Sequence, residues 1–108
     1  MKLRNIGTKW EGHDVFELPL DKIKDVQFEE QIKKRVYDPE SNDIKELAAD
    51  LVKNGQKEPI AVDSSFTIIW RGHSRVLAAK IAGLTSLKAI VLTADEWMKG
   101  IQNGTIET

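Results

Sequence analysis

The sequence predicts a small α+β domain in which a mixed sheet is covered by helices. Short runs of β-forming residues alternate along the chain with amphipathic helical patterns, which is typical of that class. The length of 108 residues suits a single core, and no internal repeat or low-complexity tract interrupts it. We therefore expect residues 1 to 108 to form one domain, in which residues 1 to 14 carry the weakest pattern.

The first part of the chain predicts a strand and a helix. Val15 to Leu18 is a short β-forming run that stops at Pro19, which cannot donate a hydrogen bond to a sheet. Between residues 25 and 36 the apolar side chains fall four positions apart, which favours a short helix with a basic end. These apolar residues are Phe28, Ile32 and Val36.

The segment from Pro39 to Gly55 carries the strongest helical pattern. Its apolar residues follow the i, i+3, i+4, i+7 spacing of one helix face, namely Ile44, Leu47, Ala48 and Leu51. Pro39 and Asp43 are start signals, and Asn54-Gly55 is a stop signal. A helix is expected between them.

The second half predicts a hairpin, a helix, a strand and a last helix. Residues 60 to 70 contain two β-rich runs joined by Asp63-Ser64-Ser65, which indicates a hairpin. A helix is expected from about Ser74 to Ala82, with Gly83 at its C-cap, followed by a strand from Leu87 to Leu92. Thr93 and Glu96 have the spacing of a capping box, so the final helix should begin there and end near Asn103-Gly104.

The composition limits the classes of function. Sixteen basic and seventeen acidic residues nearly cancel, so the chain lacks the broad positive field of a dedicated DNA-binding domain, and any nucleic-acid contact must be local. No cysteine is present, which excludes disulfides, thiolate nucleophiles and cysteine-based zinc sites. Because no signal peptide or membrane-spanning run is visible, we expect a soluble cytoplasmic protein without a membrane partner.

The junction Arg71-Gly72-His73-Ser74-Arg75 joins a strand-like run to a helix. The first N–H groups of a helix lack intrahelical partners and lie at the positive end of its dipole, so such a junction can bind an anion. Gly72 permits a positive φ and close approach, Ser74 can cap the helix, and His73 can donate or shuttle a proton. Arg75 and Arg71 supply planar guanidinium groups that match phosphate oxygens. The same residues could instead form an ordinary glycine turn and helix cap.

Three segments in order resemble the ParB/sulfiredoxin-like superfamily, and in particular the ParB-type N-terminal domain, also called the ParB-like nuclease domain. They are ELPLDKIK (17 to 24), DIKELAADLVKNGQKEPIAV (43 to 62) and WRGHSRVLAAKIAGLTSLKAIVL (70 to 92). The resemblance implies that Gly72, His73, Ser74 and Arg75 bind nucleotide phosphates. The ligand it implies is a nucleoside triphosphate or diphosphate, such as CTP, ATP or ADP, with or without Mg²⁺.

The turn differs from those of characterised members of the superfamily. CTP-binding ParB proteins typically read Gly-Glu-Arg-Arg there, whereas His73 and Ser74 occupy the two middle positions in this chain. Sulfiredoxins read Gly-Cys-His-Arg and use the cysteine as nucleophile. Because this chain has no cysteine, reduction of a sulfinic acid is excluded.

Other polar residues are candidates for catalysis or nucleic-acid binding. Glu46 and Asp50 lie four apart on the polar face of a helix, and Glu58 precedes Pro59, so these acids could orient a metal or accept a proton. They could equally be solvated surface groups. The run Lys33-Lys34-Arg35 could contact a nucleic-acid backbone or simply complement the end of a helix. Trp70 and Trp97 could stack on a base, but their apolar surroundings favour a place in the core.

Three functions fit these features. The first is a nucleotide-binding accessory or switch in DNA partitioning, gene regulation or a mobile element, which would meet DNA directly, through a partner protein or as a homodimer. The second is a small phosphotransferase or a hydrolase of nucleotides or nucleic acids. The third is a protein-interaction module that has lost nucleotide binding.

Overall fold

The computed structural model describes residues 3 to 102, and its α+β class is the one that the sequence predicts. The strands are β1 (Arg4–Trp10), β2 (His13–Pro19), β3 (Ile60–Val62), β4 (Ile69–Arg71) and β5 (Ser86–Val91). The helices are α1 (Val26–Lys33), α2 (Asn42–Asn54), α3 (His73–Ile81) and α4 (Ala94–Gln102), with a 3₁₀ turn at Leu20–Lys22. None of the described helices is long and apolar enough to span a bilayer.

The strands form a mixed sheet with the order β1-β2-β5-β3-β4. β3 and β5 are parallel, while β1 with β2, β2 with β5, and β3 with β4 are antiparallel. Parallel neighbours need a crossover connection, and here β4 and α3 supply it. This topology places α3 directly after the edge strand β4, which pairs with β3.

Helices cover both faces of the sheet. Successive strand residues point to opposite faces, so Ile60 and Val62 join the larger core while Ala61 joins the smaller one. The larger core packs the sheet against α1, α2 and α3 through residues such as Phe28, Leu51 and Val76. The smaller core packs the other face against Trp97 of α4.

Two differences from the sequence prediction lie before α2. β1 occupies a segment in which the sequence predicts neither a helix nor a strand. It pairs with β2 at the edge of the sheet. The first helix was expected to reach Val36, but α1 ends at Lys33 because Arg35 adopts a left-handed φ of 59°. The N–H of Val36 then donates to the carbonyl of Gln31 (2.8 Å), and its side chain is 65% exposed rather than buried.

The hairpin between β3 and β4 is confirmed, but its strands are shorter than the apolar runs. Asp63 organises the connection, since its Oδ1 accepts from the N–H groups of Thr67 (3.0 Å) and Ile68 (3.1 Å). Phe66 has a φ of 65° and therefore lies in this connection rather than in β4. The hairpin loop is thus held by one carboxylate instead of a tight two-residue turn.

The helix caps agree with the sequence in part. The capping box of α4 is confirmed, because Glu96 N–H donates to Thr93 Oγ1 (3.1 Å) and Thr93 N–H donates to Glu96 Oε1 (3.1 Å). The cap of α2 is Ser41, whose Oγ accepts from Ile44 N–H at 3.3 Å, and the start signal Asp43 lies in the first turn of the helix. The predicted end of α4 at Asn103-Gly104 lies outside the described residues.

Candidate functional site

The Gly72 turn, residues 71 to 75, connects β4 to α3. Gly72 is the N-cap of α3 with φ 102° and ψ 23°, a conformation that residues with a Cβ rarely adopt. A Cβ at this position would also lie 2.5 Å from Ile60 Cγ2, which is closer than any real contact. The turn therefore requires glycine, and it packs its main chain directly on the first residue of β3.

The first turn of α3 leaves its N–H groups available. The cap provides no side-chain hydrogen bond, and the first turn contains no acidic residue. The first helical bond runs from Val76 N–H to the Gly72 carbonyl (3.0 Å), so the N–H groups of residues 73 to 75 lack intrahelical acceptors. The dipole of α3 adds partial positive charge at the same place. This end of the helix is therefore suited to an anion.

Two arginines lie beside these N–H groups. The Nη2 atom of Arg71 is buried and has no hydrogen-bond partner within residues 3 to 102. Arg75 is half-buried and forms no ion pair with any residue that the structure describes. A buried guanidinium N–H without an acceptor lowers the stability of the folded protein. A ligand that accepts a hydrogen bond from this N–H would restore that stability.

A cavity of about 400 Å³ opens over the turn, and we call it the turn cavity. It is lined by Tyr37, Leu47, Trp70, Arg71, Gly72, His73, Ser74 and Arg75. All five residues of the predicted phosphate-binding turn thus meet in one cavity. The lining includes both arginines and none of the described carboxylates, so the cavity favours an anionic ligand with room for more than a single phosphate.

His73 is held between two aromatic rings. Its ring centroid lies 5.5 Å from that of Tyr37 at an interplanar angle of 17°, and 5.3 Å from that of Phe28 at 56°. Burial lowers the pKa of the His73 imidazole below its usual value, while the Asp25 carboxylate and the Ile69 carbonyl act in the opposite direction. The neutral form is therefore favoured at pH 7 in the free protein.

This shift predicts a pH dependence of stability. The unfolded chain takes up a proton on His73 near its ordinary pKa, whereas the folded chain takes it up only at lower pH. Between those values the unfolded state holds more protons, so the free energy of unfolding should fall as the pH drops from 7.5 to 5.5. His73→Phe keeps an aromatic ring without the titration and should reduce this slope, as measured by urea unfolding at each pH. Equal slopes for the unaltered protein and for His73→Phe would contradict the assignment of this pH dependence to His73.

The sequence gives little sign of two residues that line the turn cavity. Tyr37 follows α1 in a connection without periodicity, and its place over His73 depends on the tertiary fold. Leu47 belongs to the apolar face of α2 and could be assigned only to the core. The one local signal for Tyr37 is its place directly before Asp38-Pro39, because that dipeptide marks a connection between secondary-structure elements.

The candidate acids do not line the turn cavity. Glu46 is exposed on α2, and Glu58 is exposed before β3. Asp50 is half-buried, and its Oδ1 accepts from Asn54 Nδ2 at 2.7 Å. The described residues contain no group of three or more histidine and acidic side chains that could hold a metal. A catalytic role for these acids stays a prediction.

The basic run lies at the end of α1, as the sequence predicts. Lys33 approaches Glu30 (Nζ to Oε1, 3.7 Å) and Arg35 pairs with Asp38 (Nη1 to Oδ1, 2.8 Å). Lys34 has no ion pair with the part of the chain that is described. All three are exposed, so they are accessible to a nucleic acid, but local carboxylates offset much of their charge.

The tryptophans stack on each other. The ring centroids of Trp70 and Trp97 are 5.9 Å apart at an interplanar angle of 16°, and Trp70 Nε1 donates to the Leu92 carbonyl (3.0 Å). Trp97 is buried in the smaller core, as its apolar surroundings predict. Trp70 is half-buried and contributes part of its surface to the turn cavity.

Comparisons with solved structures identify this fold in sulfiredoxin and ParB proteins. Sulfiredoxin from Arabidopsis thaliana is 25% identical with a TM-score of 0.58, and the match covers 79% of this chain and 92% of that one. A Pnob8-like ParB-N domain is 19% identical with a TM-score of 0.55, covering 83% of this chain and 34% of the other. The C-terminally truncated chromosome-partitioning protein ParB from Caulobacter crescentus, solved with CTP-gamma-S, is 19% identical with a TM-score of 0.55.

The last of these matches covers 87% of this chain and 54% of the Caulobacter crescentus protein, so the chain spans about half of that ParB. A search of the curated proteins finds no match. The model of the ParB N-terminal domain family matches residues 5–103, which is nearly the whole chain. Both the family match and the fold agree with the resemblance carried by the three ordered segments, and the chain belongs to the ParB N-terminal domain family.

Proposed function

We propose that this domain binds a nucleotide through its phosphates at the Gly72 turn. The observation that carries the proposal is the buried, unpartnered Nη2 of Arg71 beside the uncapped first turn of α3. The phosphates accept from the N–H groups of residues 73 to 75 and from the guanidinium groups of Arg71 and Arg75, while Ser74 donates its hydroxyl. A chain of two or three phosphates suits a cavity of about 400 Å³ better than a single phosphate does.

CTP is the first nucleotide to test, and ATP and ADP come next. The Caulobacter crescentus ParB with the same fold was solved with CTP-gamma-S, which supports a nucleotide of this class. His73 and Ser74 stand where CTP-binding ParB proteins carry glutamate and arginine, so the balance among nucleotides can differ in this chain. Mg²⁺ would arrive with the phosphates, since the turn cavity has no described carboxylate of its own.

Within a larger system the domain acts as a nucleotide-dependent switch or accessory in DNA partitioning, gene regulation or a mobile element. Nucleotide binding would favour one conformation or partner over another by its difference in affinity for the two states. DNA contact occurs through a partner protein or a homodimer, or directly through the exposed run Lys33-Lys34-Arg35. The run is a weak DNA site by itself because Glu30 and Asp38 lie beside it.

Phosphoryl transfer or hydrolysis is the weaker alternative. A catalytic acid must come within hydrogen-bond reach of the proton that it accepts, and neither Glu46, Asp50 nor Glu58 lines the turn cavity. Turnover would therefore require movement of α2 or of the segment before β3 when the nucleotide binds.

Removal of the Arg75 guanidinium should weaken nucleotide binding by about tenfold to a hundredfold, because a hydrogen bond to a charged group contributes about 1.5–3 kcal/mol. Calorimetry with CTP, ATP, ADP and GTP, with and without Mg²⁺, would measure this for Arg75→Ala. The matched control is Lys80→Ala, which removes an exposed cation in the last turn of the same helix. The control should bind nucleotides as the unaltered protein does.

If no nucleotide binds to the unaltered protein, the Gly72 turn is only a helix cap and the proposal is wrong. If Arg75→Ala and Lys80→Ala weaken binding equally, the attraction is a general effect of charge and not a site at the turn. Loss of affinity in Arg75→Ala alone supports the site and justifies assays for turnover and DNA loading.

A further inference from the structure

His73 places a titratable ring at the proposed phosphate site. It is the first residue of α3, and it lines the turn cavity together with Arg71 and Arg75. Its ring stacks on that of Tyr37, which lines the same cavity, so the imidazole is held at this position by packing. Imidazole is the side chain whose charge changes most readily near pH 7. A change in the charge of this ring would therefore act directly on an anion bound in the turn cavity.

The surroundings of His73 favour the neutral ring in the free protein. Of the described residues that line the turn cavity or a smaller adjoining cavity beside α1, those that are titratable or charged, apart from His73, are Asp25 from the start of α1, Tyr37 from the connection after it, Arg71 from β4 and Arg75 from α3. The two guanidinium groups have the same sign of charge as an imidazolium, so they do not favour it. Asp25 attracts a proton to the ring, but its two oxygens already accept from the N–H groups of Phe28 and Ile69. Burial is the main reason that the pKa of His73 lies below its ordinary value.

We propose that a nucleotide bound at the Gly72 turn causes His73 to take up a proton, an inference that rests on the proposed function. Two or three phosphates bring several negative charges into the cavity that His73 lines, and nearby negative charge favours the imidazolium. The protonated ring can donate a charge-assisted hydrogen bond to a phosphate oxygen. The ring of Tyr37, with its centroid at 5.5 Å, also accommodates a cation on its face.

This coupling makes the affinity for nucleotide depend on pH. The pKa of His73 is below its ordinary value in the free protein and higher in the complex, so between these two values the complex holds more protons than the free protein. The affinity therefore rises as the pH falls through this window. We expect it to be about five- to twentyfold higher at pH 5.5 than at pH 7.5, relative to the same ratio in a variant without the imidazole. Comparison with that variant removes the titration of the phosphates themselves, which lose charge near pH 6.

The experiment compares the full chain with His73→Asn, in which the side chain does not titrate. His13→Asn is the matched control, since His13 is the other of the two histidines in the sequence and lies on β2 beside Glu96 (Nε2 to Oε2, 3.5 Å). Calorimetry with CTP and ATP from pH 5.5 to 7.5, in two buffers of different ionisation enthalpy, measures the affinity and the number of protons taken up. NMR of the unaltered protein follows the Cε1–H signals of both imidazoles with and without nucleotide, so the test does not depend on how well a variant folds.

The outcomes separate this coupling from the phosphate site. A titration midpoint of His73 that moves to higher pH in the complex, with proton uptake lost in His73→Asn and retained in His13→Asn, supports the coupling. If a nucleotide binds but the midpoint of His73 stays in place or moves to lower pH, the coupling is wrong and the phosphate site stands. Proton uptake that persists in full in His73→Asn also overturns the coupling, because the protons then go to the phosphates or to another group. If no nucleotide binds at any pH, both proposals fail together.

Discussion

Gly72→Ala is expected to lower the free energy of unfolding by about 2–5 kcal/mol and to weaken nucleotide binding at the same time. A left-handed backbone costs about 1–2 kcal/mol for a residue with a Cβ, and an extra carbon in a packed core costs about 1–3 kcal/mol. Both costs apply, because Gly72 has a φ of 102° and its new Cβ would lie 2.5 Å from Ile60 Cγ2. Urea unfolding and calorimetry with CTP would measure the two effects.

The matched control is Gly83→Ala at the other end of α3. Gly83 has a φ of 77°, but no atom lies within 4 Å of the position of its added Cβ. This variant therefore carries the backbone cost alone, about 1–2 kcal/mol. If Gly72→Ala and Gly83→Ala lower the free energy of unfolding by the same amount, the contact of the new Cβ with Ile60 costs nothing. The turn can then shift to relieve that contact.

The packing of Gly72 on Ile60 fixes the position of the turn against the sheet. Ile60 is fully buried at the start of β3, which pairs with both β4 and β5. The turn is thus supported by the middle of the sheet and not by a surface loop. Arg71 and Arg75 flank this fixed glycine, so their relation to the first turn of α3 is set by the core.

The position of the Gly72 turn at the start of α3 could be predicted from the sequence because its causes are local. A glycine at a strand-to-helix junction, a serine and two arginines each act through the backbone or through fixed charge. The helices α2 and α3 could be predicted for a similar reason, since their apolar stripes repeat within single segments. The structure agrees with these expectations to within one or two residues.

β1 and the aromatic stack could not be predicted, because their causes are distant in sequence. β1 is mostly exposed and contains Gly7, so it lacks both the alternation and the β-forming composition that identify a strand. Its hydrogen bonds to β2 decide its structure. The stacking of Tyr37 on His73 likewise exists only after α1 and α3 have packed together.

Gln56 has a structural role that its neighbours in the sequence do not indicate. In the segment Gly-Gln-x-x-Pro, the Gln56 side chain accepts from Lys88 N–H (2.6 Å) and donates to the Lys88 carbonyl (2.9 Å). The amide therefore satisfies the backbone of β5 just beyond the point where β3 pairs with it. Its partner lies 32 positions away, so spacing within the motif cannot indicate the role.

Asp25→Ala should lower the free energy of unfolding by about 2–4 kcal/mol, because this one carboxylate ties α1 to the strand that leads into the turn. Asp25 is 8% exposed, and it accepts from Phe28 N–H through Oδ1 (3.1 Å) and from Ile69 N–H through Oδ2 (3.1 Å). Loss of the helix cap costs about 1 kcal/mol, and the buried Ile69 N–H left unpaired costs about 1–3 kcal/mol.

Ser41→Ala is the matched comparison for Asp25→Ala in urea unfolding, since Ser41 caps α2 through a single bond to Ile44 N–H. It should cost about 1 kcal/mol, and the difference between the two variants then measures the bond to Ile69. Asp25→Asn keeps one acceptor oxygen and should fall between them. If Asp25→Ala costs no more than Ser41→Ala, the link to β4 contributes nothing, and Asp25 only caps α1. A larger loss means that the carboxylate fixes β4, and through it the Gly72 turn, against α1.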